Sequence, residues 1–201
     1  GAGGLDAWGI RSRLLAAACG GQPPDAAIHA EARRELLPTG PLGGAVLDAD
    51  VKLVRQLWQQ ARPDWDRPVR DVPINLEYSG LQLTGMVRLR GDELVVISPS
   101  DLPRPLFEPW VQLLALAASG IRTRARIHHL RRHYGEHFPG SVTLTPPQKA
   151  VARLEVLVRG ARLGRSRLIP VPAEPARALA ASARERTFNA ADWDLPTNSW
   201  N

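Results

Sequence analysis

Residues 81–101 read LQLTGMVRLRGDELVVISPSD. Leu81, Leu83, Gly85, Val87 and Leu89 alternate with Gln82, Thr84, Met86, Arg88 and Arg90, and a period of two marks a strand with one buried face. Gly91-Asp92 supplies the positive φ that a tight turn needs. Leu94 to Ile97 is a continuous apolar run, as expected of a strand covered on both faces. Pro99 withdraws a backbone donor and ends it. The stretch is therefore expected to form two adjacent strands of a hairpin.

Upstream, Val72 to Tyr78 reads as a further strand, turned at Ser79-Gly80. Before it, Leu47, Val51, Val54, Trp58 and Ala61 fall at a 3.6-residue period, which predicts a helix from Gly43 to Ala61 ended by Arg62-Pro63. Two more helices are expected, one from Leu5 closed by Gly20-Gly21 and one opened by Pro23-Pro24 with Asp25 as N-cap. Trp8, Trp58 and Trp110 sit in apolar stripes and are expected in the core. Downstream, Pro103, Pro105 and Pro109 predict an irregular connection, followed by an apolar helix from Trp110 to Ala118. Ile121 to Tyr134 begins as a strand with one cationic face. Ser141 to Thr145 is a short strand, and Thr145 caps a helix that buries Ala150, Leu154 and Leu157. An extended segment over Arg167–Pro172, a helix over Pro175–Arg186 and a polar tail with Trp193 and Trp200 complete the chain. This order predicts an α/β or α+β fold with a mixed sheet. A helical lead-in over residues 1–62 precedes a sheet-bearing region over 63–201.

Composition narrows the function. Lys and Arg number 26 against 20 Asp and Glu, a formal net charge of +6, and Lys52 and Lys149 are the only lysines. Arginine pairs well with phosphate, so a nucleic-acid partner is one reading of this charge; the other is a high-GC genome that favours Arg over Lys throughout, which would explain the Arg:Lys ratio though not the excess of base over acid. No apolar run approaches the ~20 residues of a membrane span, and no secretory leader is visible. The single cysteine, Cys19, excludes an internal disulfide framework and fits a reducing cytoplasm. No Gly-rich phosphate loop is present.

His129, His133 and His137 have the one-turn spacing of helical zinc ligands. Gly135 and Pro139 interrupt the helix such a site requires, so no metal is expected there. Arg122, Arg124, Arg126, Arg131 and Arg132 form a basic run. They are candidates for tracking a phosphate backbone; the alternative is a solvated edge strand protected by charge.

The hairpin has the frame of a metal-dependent nuclease site of the restriction-endonuclease-like, PD-(D/E)XK type. There, a strand reading Gly-x-x-Asp lies beside one ending acid-x-Lys, and two carboxylates hold Mg²⁺ through hard oxygens. A following helix often carries Gln-x-x-x-Tyr. Here the frame is Gly85 to Arg88, Val95 to Ser100 and Gln112 to Leu116. Arg88 stands where the first acid would be, Ser98 where the second would be, and Ser100 in the place of the lysine. A guanidinium repels Mg²⁺ rather than ligating it.

The frame, together with LDAWGIRSRLLAA (5–17), LLPTGPLG (36–43), LTGMVRL (83–89), PWVQLLALAASG (109–120) and the 147–170 segment before LIPVP, resembles the C-terminal region of the RecC family. The resemblance spans most of residues 5–186. It implies a nuclease-like domain without catalytic residues, cofactor or metal, within an exodeoxyribonuclease V assembly. Its partners would be RecB-type and RecD-type subunits and DNA, in recombinational repair in the cytoplasm. It also implies that family members run on beyond the point matching Asn201. Two other readings stay open. One is an active Mg²⁺ nuclease drawing carboxylates from Glu77 and Asp101; the other is a stand-alone basic DNA-binding module.

Overall fold

The computed structural model describes residues 4–34, 41–78, 80–101, 104–146 and 148–166. The expected features at Arg167–Pro172, Pro175–Arg186, Trp193 and Trp200 lie outside them. The chain divides into two compact units, 1–158 and 159–201. Of the second, only 159–166 is described, as the closing turns of a helix.

The first unit begins with three helices, α1 (Gly4–Cys19), α2 (Pro24–Ala32) and α3 (Pro41–Trp65). Of the expected stripe on α3, Leu47, Val54 and Ala61 are buried, Val51 and Trp58 are only partly so, and Leu57 is buried beside them. Leu47, Val54 and Leu57 pack with Ile10, Leu14 and Leu15 of α1. α3 does not stop at Arg62-Pro63 but runs one turn further, with Pro63 inside it. Proline there removes a single intrahelical donor. The turn persists because Trp65 meets Trp58 edge to face, with centroids 6.3 Å apart, and because the Asp66 N–H closes on the Arg62 carbonyl at 2.9 Å. α2 begins on Pro23 without a side-chain cap, so Asp25 lies in its first turn rather than before it.

Strands β1 (Val69–Tyr78) and β2 (Leu81–Arg90) form an antiparallel pair in which Val72 faces Val87 and Asp71 faces Arg88. Gly80, at φ +73°, makes their turn. The expected face is the buried one: Val72, Ile74, Val87 and Leu89 are 5% exposed or less. Strand β3 (Leu94–Ser98) departs from expectation. It does not pair with β2 beyond a single bridge, Arg90 to Glu93. Instead it lies parallel to β4 (Ala125–His133), which pairs antiparallel with β5 (Glu136–Leu144). The ends of the turn are claimed by other partners. The Gly91 N–H bonds to the Pro68 carbonyl at 2.8 Å, and the Leu94 N–H bonds to the Arg124 carbonyl at 2.9 Å. The result is an α+β unit with a two-stranded antiparallel sheet and a three-stranded mixed sheet.

β4 is the middle strand of its sheet, which replaces the reading of a solvated edge strand. Its residues 127 to 130 are all buried, because both faces are covered. Ala125 and Ile127 join the core built on α4 (Phe107–Ala118), whose Leu113, Leu114 and Leu116 are fully enclosed. Leu130, on the opposite face, joins the α1 and α3 side chains. α4 starts earlier than the prolines suggested. A short 3₁₀ turn over Arg104–Leu106 leads into it, and Pro109 falls in its first turn, where no intrahelical N–H is needed. β4 and β5 meet at Tyr134 (φ +48°) and Gly135 (φ +86°), a two-residue turn. His129, His133 and His137 therefore sit on two strands of a hairpin, not on one helical face. Among the described residues, no group of His, Cys, Asp or Glu side chains is placed to hold a metal ion. α5 (Ala150–Ser166) starts five residues after Thr145, because Lys149, at φ +54°, breaks the expected cap. No helix among the described residues is long and apolar enough to cross a membrane.

Candidate functional site

Two neighbouring features carry the polar chemistry. The first is a cleft of about 480 Å³ over the outer face of β2, lined by Met86, Arg88 and Arg90, by β3 as far as Ser98, and by Glu108 and Gln112 of α4. Alternation along β2 explains the lining: Val87 and Leu89 point into the core, so Met86, Arg88 and Arg90 point out. Arg88 pairs with its cross-strand neighbour Asp71 through two bonds, Nε to Oδ1 at 2.8 Å and Nη2 to Oδ2 at 3.1 Å. That hydrogen-bonded guanidinium holds the Asp71 carboxyl below the usual carboxylate range. The Ser98 hydroxyl accepts the Ser100 N–H at 3.2 Å, and the Ser100 hydroxyl accepts the Trp8 indole N–H at 2.9 Å. Trp8 is 44% exposed and spans from α1 to the end of β3, so it is not the core residue its stripe suggested. Arg90 lies over the Trp65 ring at 3.5 Å and donates to the Trp65 carbonyl. Nearby, burial pushes the Cys19 thiol up to about 11, against the lowering effect of Arg90. A thiol of that kind is no nucleophile near neutral pH.

The second feature is a pair of buried carboxylates. Glu93, 6% exposed, receives Arg124 at 2.7 Å, Arg126 at 3.2 Å and Arg67 at 3.4 Å. Asp64, in the post-proline turn of α3, meets Arg67 at 2.5 Å, His128 at 3.0 Å and Arg126 at 3.6 Å. Burial raises the Glu93 pKa, but the Arg126 hydrogen bond and the charges of Arg126, Arg124 and Arg67 outweigh it and leave the carboxyl below its ordinary value. The basic run of the sequence is thereby divided. Arg124 and Arg126 face these carboxylates. Arg122, Arg131 and Arg132 are exposed and have no ion-pair partner among the described residues, although the Arg132 backbone N–H donates to Asp101 at 3.3 Å. Glu77 is exposed on β1 opposite Gln82.

Sequence reasoning missed Glu93 and Asp64. Glu93 reads as part of a turn and Asp64 follows a helix-ending Pro63. The only local signal was an acid placed directly before an apolar strand.

His128 is buried beside Asp64, and its Nδ1 has no hydrogen-bond partner. Its Nε2–H donates to the carboxylate, so the neutral ring is the form that fits. Burial holds its pKa below the ordinary 6.5, against the raising effect of Asp64. The unfolded chain thus takes up this proton first, and stability is full above about pH 6.5 and falls as the pH drops below it. The expected slope from this group is at most about 1.4 kcal/mol per pH unit. Thermal melts between pH 7.5 and 5.5 should show a falling midpoint, and His128→Gln should flatten that fall. An equally steep fall in the variant would remove His128 as its cause.

The architecture is that of an α+β domain whose outer β2–β3 surface carries Arg88 and Ser98. The chain belongs to the RecC C-terminal domain family, whose model matches residues 1–184. It is similar to the RecBCD enzyme subunit RecC of Mycolicibacterium smegmatis, 37% identical over 118 residues, covering 57% of this chain and 11% of that protein. It is also similar to the RecBCD enzyme subunit RecC of Mycobacterium tuberculosis H37Rv, 29% identical over 202 positions, covering 90% of this chain and 17% of that protein. The chain thus spans between 11% and 17% of the length of these curated relatives.

Proposed function

We propose that this chain is a non-catalytic, restriction-endonuclease-like domain of a RecC-type subunit. In this reading it comprises a helical lead-in (1–62) and a degenerate nuclease-like region (63–201). It scaffolds RecB-type and RecD-type subunits in a cytoplasmic helicase–nuclease and guides DNA during double-strand break repair. The observation that carries the reading is the bidentate Arg88–Asp71 pair. The position a nuclease would use to ligate Mg²⁺ holds a permanent cation, and the nearest carboxylate is already committed to it. The test is co-expression with RecB-type and RecD-type subunits. This domain should co-purify with them, and the isolated chain should not cleave DNA with Mg²⁺. Mg²⁺-dependent cleavage lost in Glu77→Ala or Asp101→Ala would instead establish an active nuclease.

Arg122, Arg131 and Arg132 are the stronger phosphate candidates of the basic run, and Arg124 and Arg126 the weaker, because the latter two already neutralise buried acids. Each lost phosphate contact lowers the slope of log affinity against log salt by about 0.7–0.9. Replacing Arg122, Arg131 and Arg132 together by alanine should therefore flatten that slope by about 2–3 in a DNA-binding titration. Arg124→Ala should change it little. The reverse order would reassign the contact surface to the Glu93 side.

A further inference from the structure

We infer that the groove between the α1–α2 turn and the C-terminal half of α3 is a docking site for a short acidic peptide that carries one large apolar side chain. The inference lies outside the nuclease-like reading and does not depend on it. Two hollows make the groove. The first is apolar and holds about 80 Å³; its walls are Leu14 and Ala17 of α1, Ala27 and Ile28 of α2, and Val51 and Val54 of α3. Small side chains on α1 and α2 face larger ones on α3, so the three helices meet without filling the space between them. The second hollow is wider, about 590 Å³, and is lined by Cys19, Arg62, Trp65, Arg67 and Arg90. Ala18, Gln22, Pro24 and Trp58 line both, so the two hollows run into each other. Val51 and Trp65 mark the ends of the groove on α3, roughly 21 Å apart at the rise of an α-helix. About six residues of extended chain cover that distance.

Charge selects the occupant. The wall of the second hollow holds three arginines and one acid, Asp66. Arg62 pairs with Asp66 at 3.0 Å, but both side chains are more than half exposed. Such a pair contributes little and yields to a competing carboxylate. Arg90 lies over the Trp65 ring and donates to the Trp65 carbonyl, and no carboxylate forms an ion pair with it among the described residues. Arg55, on the rim of the apolar hollow, is exposed and also has no ion-pair partner among the described residues. Arg67 is already held by Asp64 and Glu93. The groove therefore offers alkyl surface at one end and unneutralised guanidinium at both. A hollow of alkyl groups gives the polar edges of a nucleobase nothing to bond to, which favours a peptide over a nucleic-acid strand.

The test is fluorescence anisotropy of the whole chain with a fluorescein-labelled hexapeptide, Asp-Asp-Glu-Gly-Leu-Phe, and with the same residues in reverse order. One of the two should bind saturably, and more weakly as salt rises. Replacing its Leu and Phe by Ala should weaken binding about tenfold, the scale of one unburied apolar side chain. On the protein, Ala27→Leu fills the apolar hollow and should cost about the same factor, with a thermal melt showing that the fold is kept. Arg55→Glu changes only an exposed side chain, so it probes the site without disturbing the packing, and should weaken binding several-fold. Asp66→Asn releases Arg62 and should tighten it. Arg153→Glu makes the same charge change on α5, away from the groove, and should leave binding as it was. Full-strength binding in both Ala27→Leu and Arg55→Glu would overturn the site. So would an equal loss in Arg153→Glu and Arg55→Glu, which would reduce the attraction to net charge. Failure of both peptides to bind at millimolar concentration, with oligothymidylate binding that Arg55→Glu removes, would overturn it in favour of a nucleic-acid surface.

Discussion

Glu93→Ala should lower the thermal midpoint by about 5–10 °C, one of the two largest effects expected of a single substitution in this chain. Glu93 lies at a bridge that joins the end of β2 to the start of β3, and it gathers Arg67, which follows α3, Arg124, which precedes β4, and Arg126, which lies in it. Truncating one member of a fully buried ion pair costs about 3–5 kcal/mol. Arg124 and Arg67 are more than a third exposed, so water can take over part of their charge and about 2–3 kcal/mol is the fitting expectation. For a chain of this size each kcal/mol moves the midpoint by about 2–4 °C. Glu93→Gln should fall between wild type and alanine, because it keeps an acceptor and loses the charge. The sign with pH follows from the lowered carboxyl: its contribution is present above the ordinary Glu value of 4.5 and is lost as the pH falls through the folded value. The gap between wild type and Glu93→Ala should therefore narrow in acid. A midpoint within about 2 °C of wild type at neutral pH would show that the arginines are equally well served by solvent.

The parts of this fold that could be read from the chain are those set by local pattern. The alternation from Leu81 to Arg90 identified the face of β2 that buries Val87 and Leu89, though Gly85 on it is exposed, and the stripe on α3 identified the buried Leu47, Val54 and Ala61. Pairing was not readable, because partner choice depends on segments far apart in sequence. β3 follows β2 after a three-residue turn, yet its ladder partner begins at Ala125, and nothing between Leu94 and Ser98 specifies a parallel neighbour. The same limit applied to single residues. Pro63 signals a helix end, but the Trp58–Trp65 contact and the Asp66 N–H bond to the Arg62 carbonyl carry the helix past it. Trp8 lies in an apolar stripe, yet its indole reaches Ser100, 92 positions away. At the candidate site, the chain shows on its face that Arg88, Ser98 and Ser100 are not the carboxylates and lysine a metal-dependent nuclease motif would need. The commitment of Arg88 to Asp71, and of Arg124 and Arg126 to Glu93, was not legible there. Each is a cross-strand or cross-layer pairing, and a run of arginines on paper looks uniformly available. Folding divides it into cations that pair with buried acids and cations left exposed at the surface.

Leu130→Ala tests whether the helical lead-in and the sheet are one cooperative structure. Leu130 is fully buried, and it is a β4 residue enclosed by helix side chains: Ile10 and Leu14 from α1, Leu47, Val54 and Leu57 from α3. Its neighbours on the same strand face, Arg126 and His128, reach Asp64 at the end of α3. One face of β4 is thus bonded to the N-terminal helices by apolar contact at one end and, through Asp64 of α3, by charge at the other. Truncating a leucine in such a site removes its transfer free energy and leaves a cavity, at a cost of about 2–5 kcal/mol. Rigid helices on one side and a paired strand on the other limit collapse, which places the expectation in the upper half of that range. The midpoint should drop by about 8–15 °C, as much as or more than for Glu93→Ala, and unfolding should remain a single transition because both elements lose the same contact. Leu157→Ala, on the opposite side of the sheet where the side chain is only partly buried, should cost less. Chemical denaturation read by tryptophan fluorescence and by circular dichroism distinguishes the outcomes. Coincident curves shifted to lower denaturant are expected. Two separated transitions, with only the helical signal displaced, would show that residues 1–62 fold as an independent unit and that Leu130 is merely a contact between two parts.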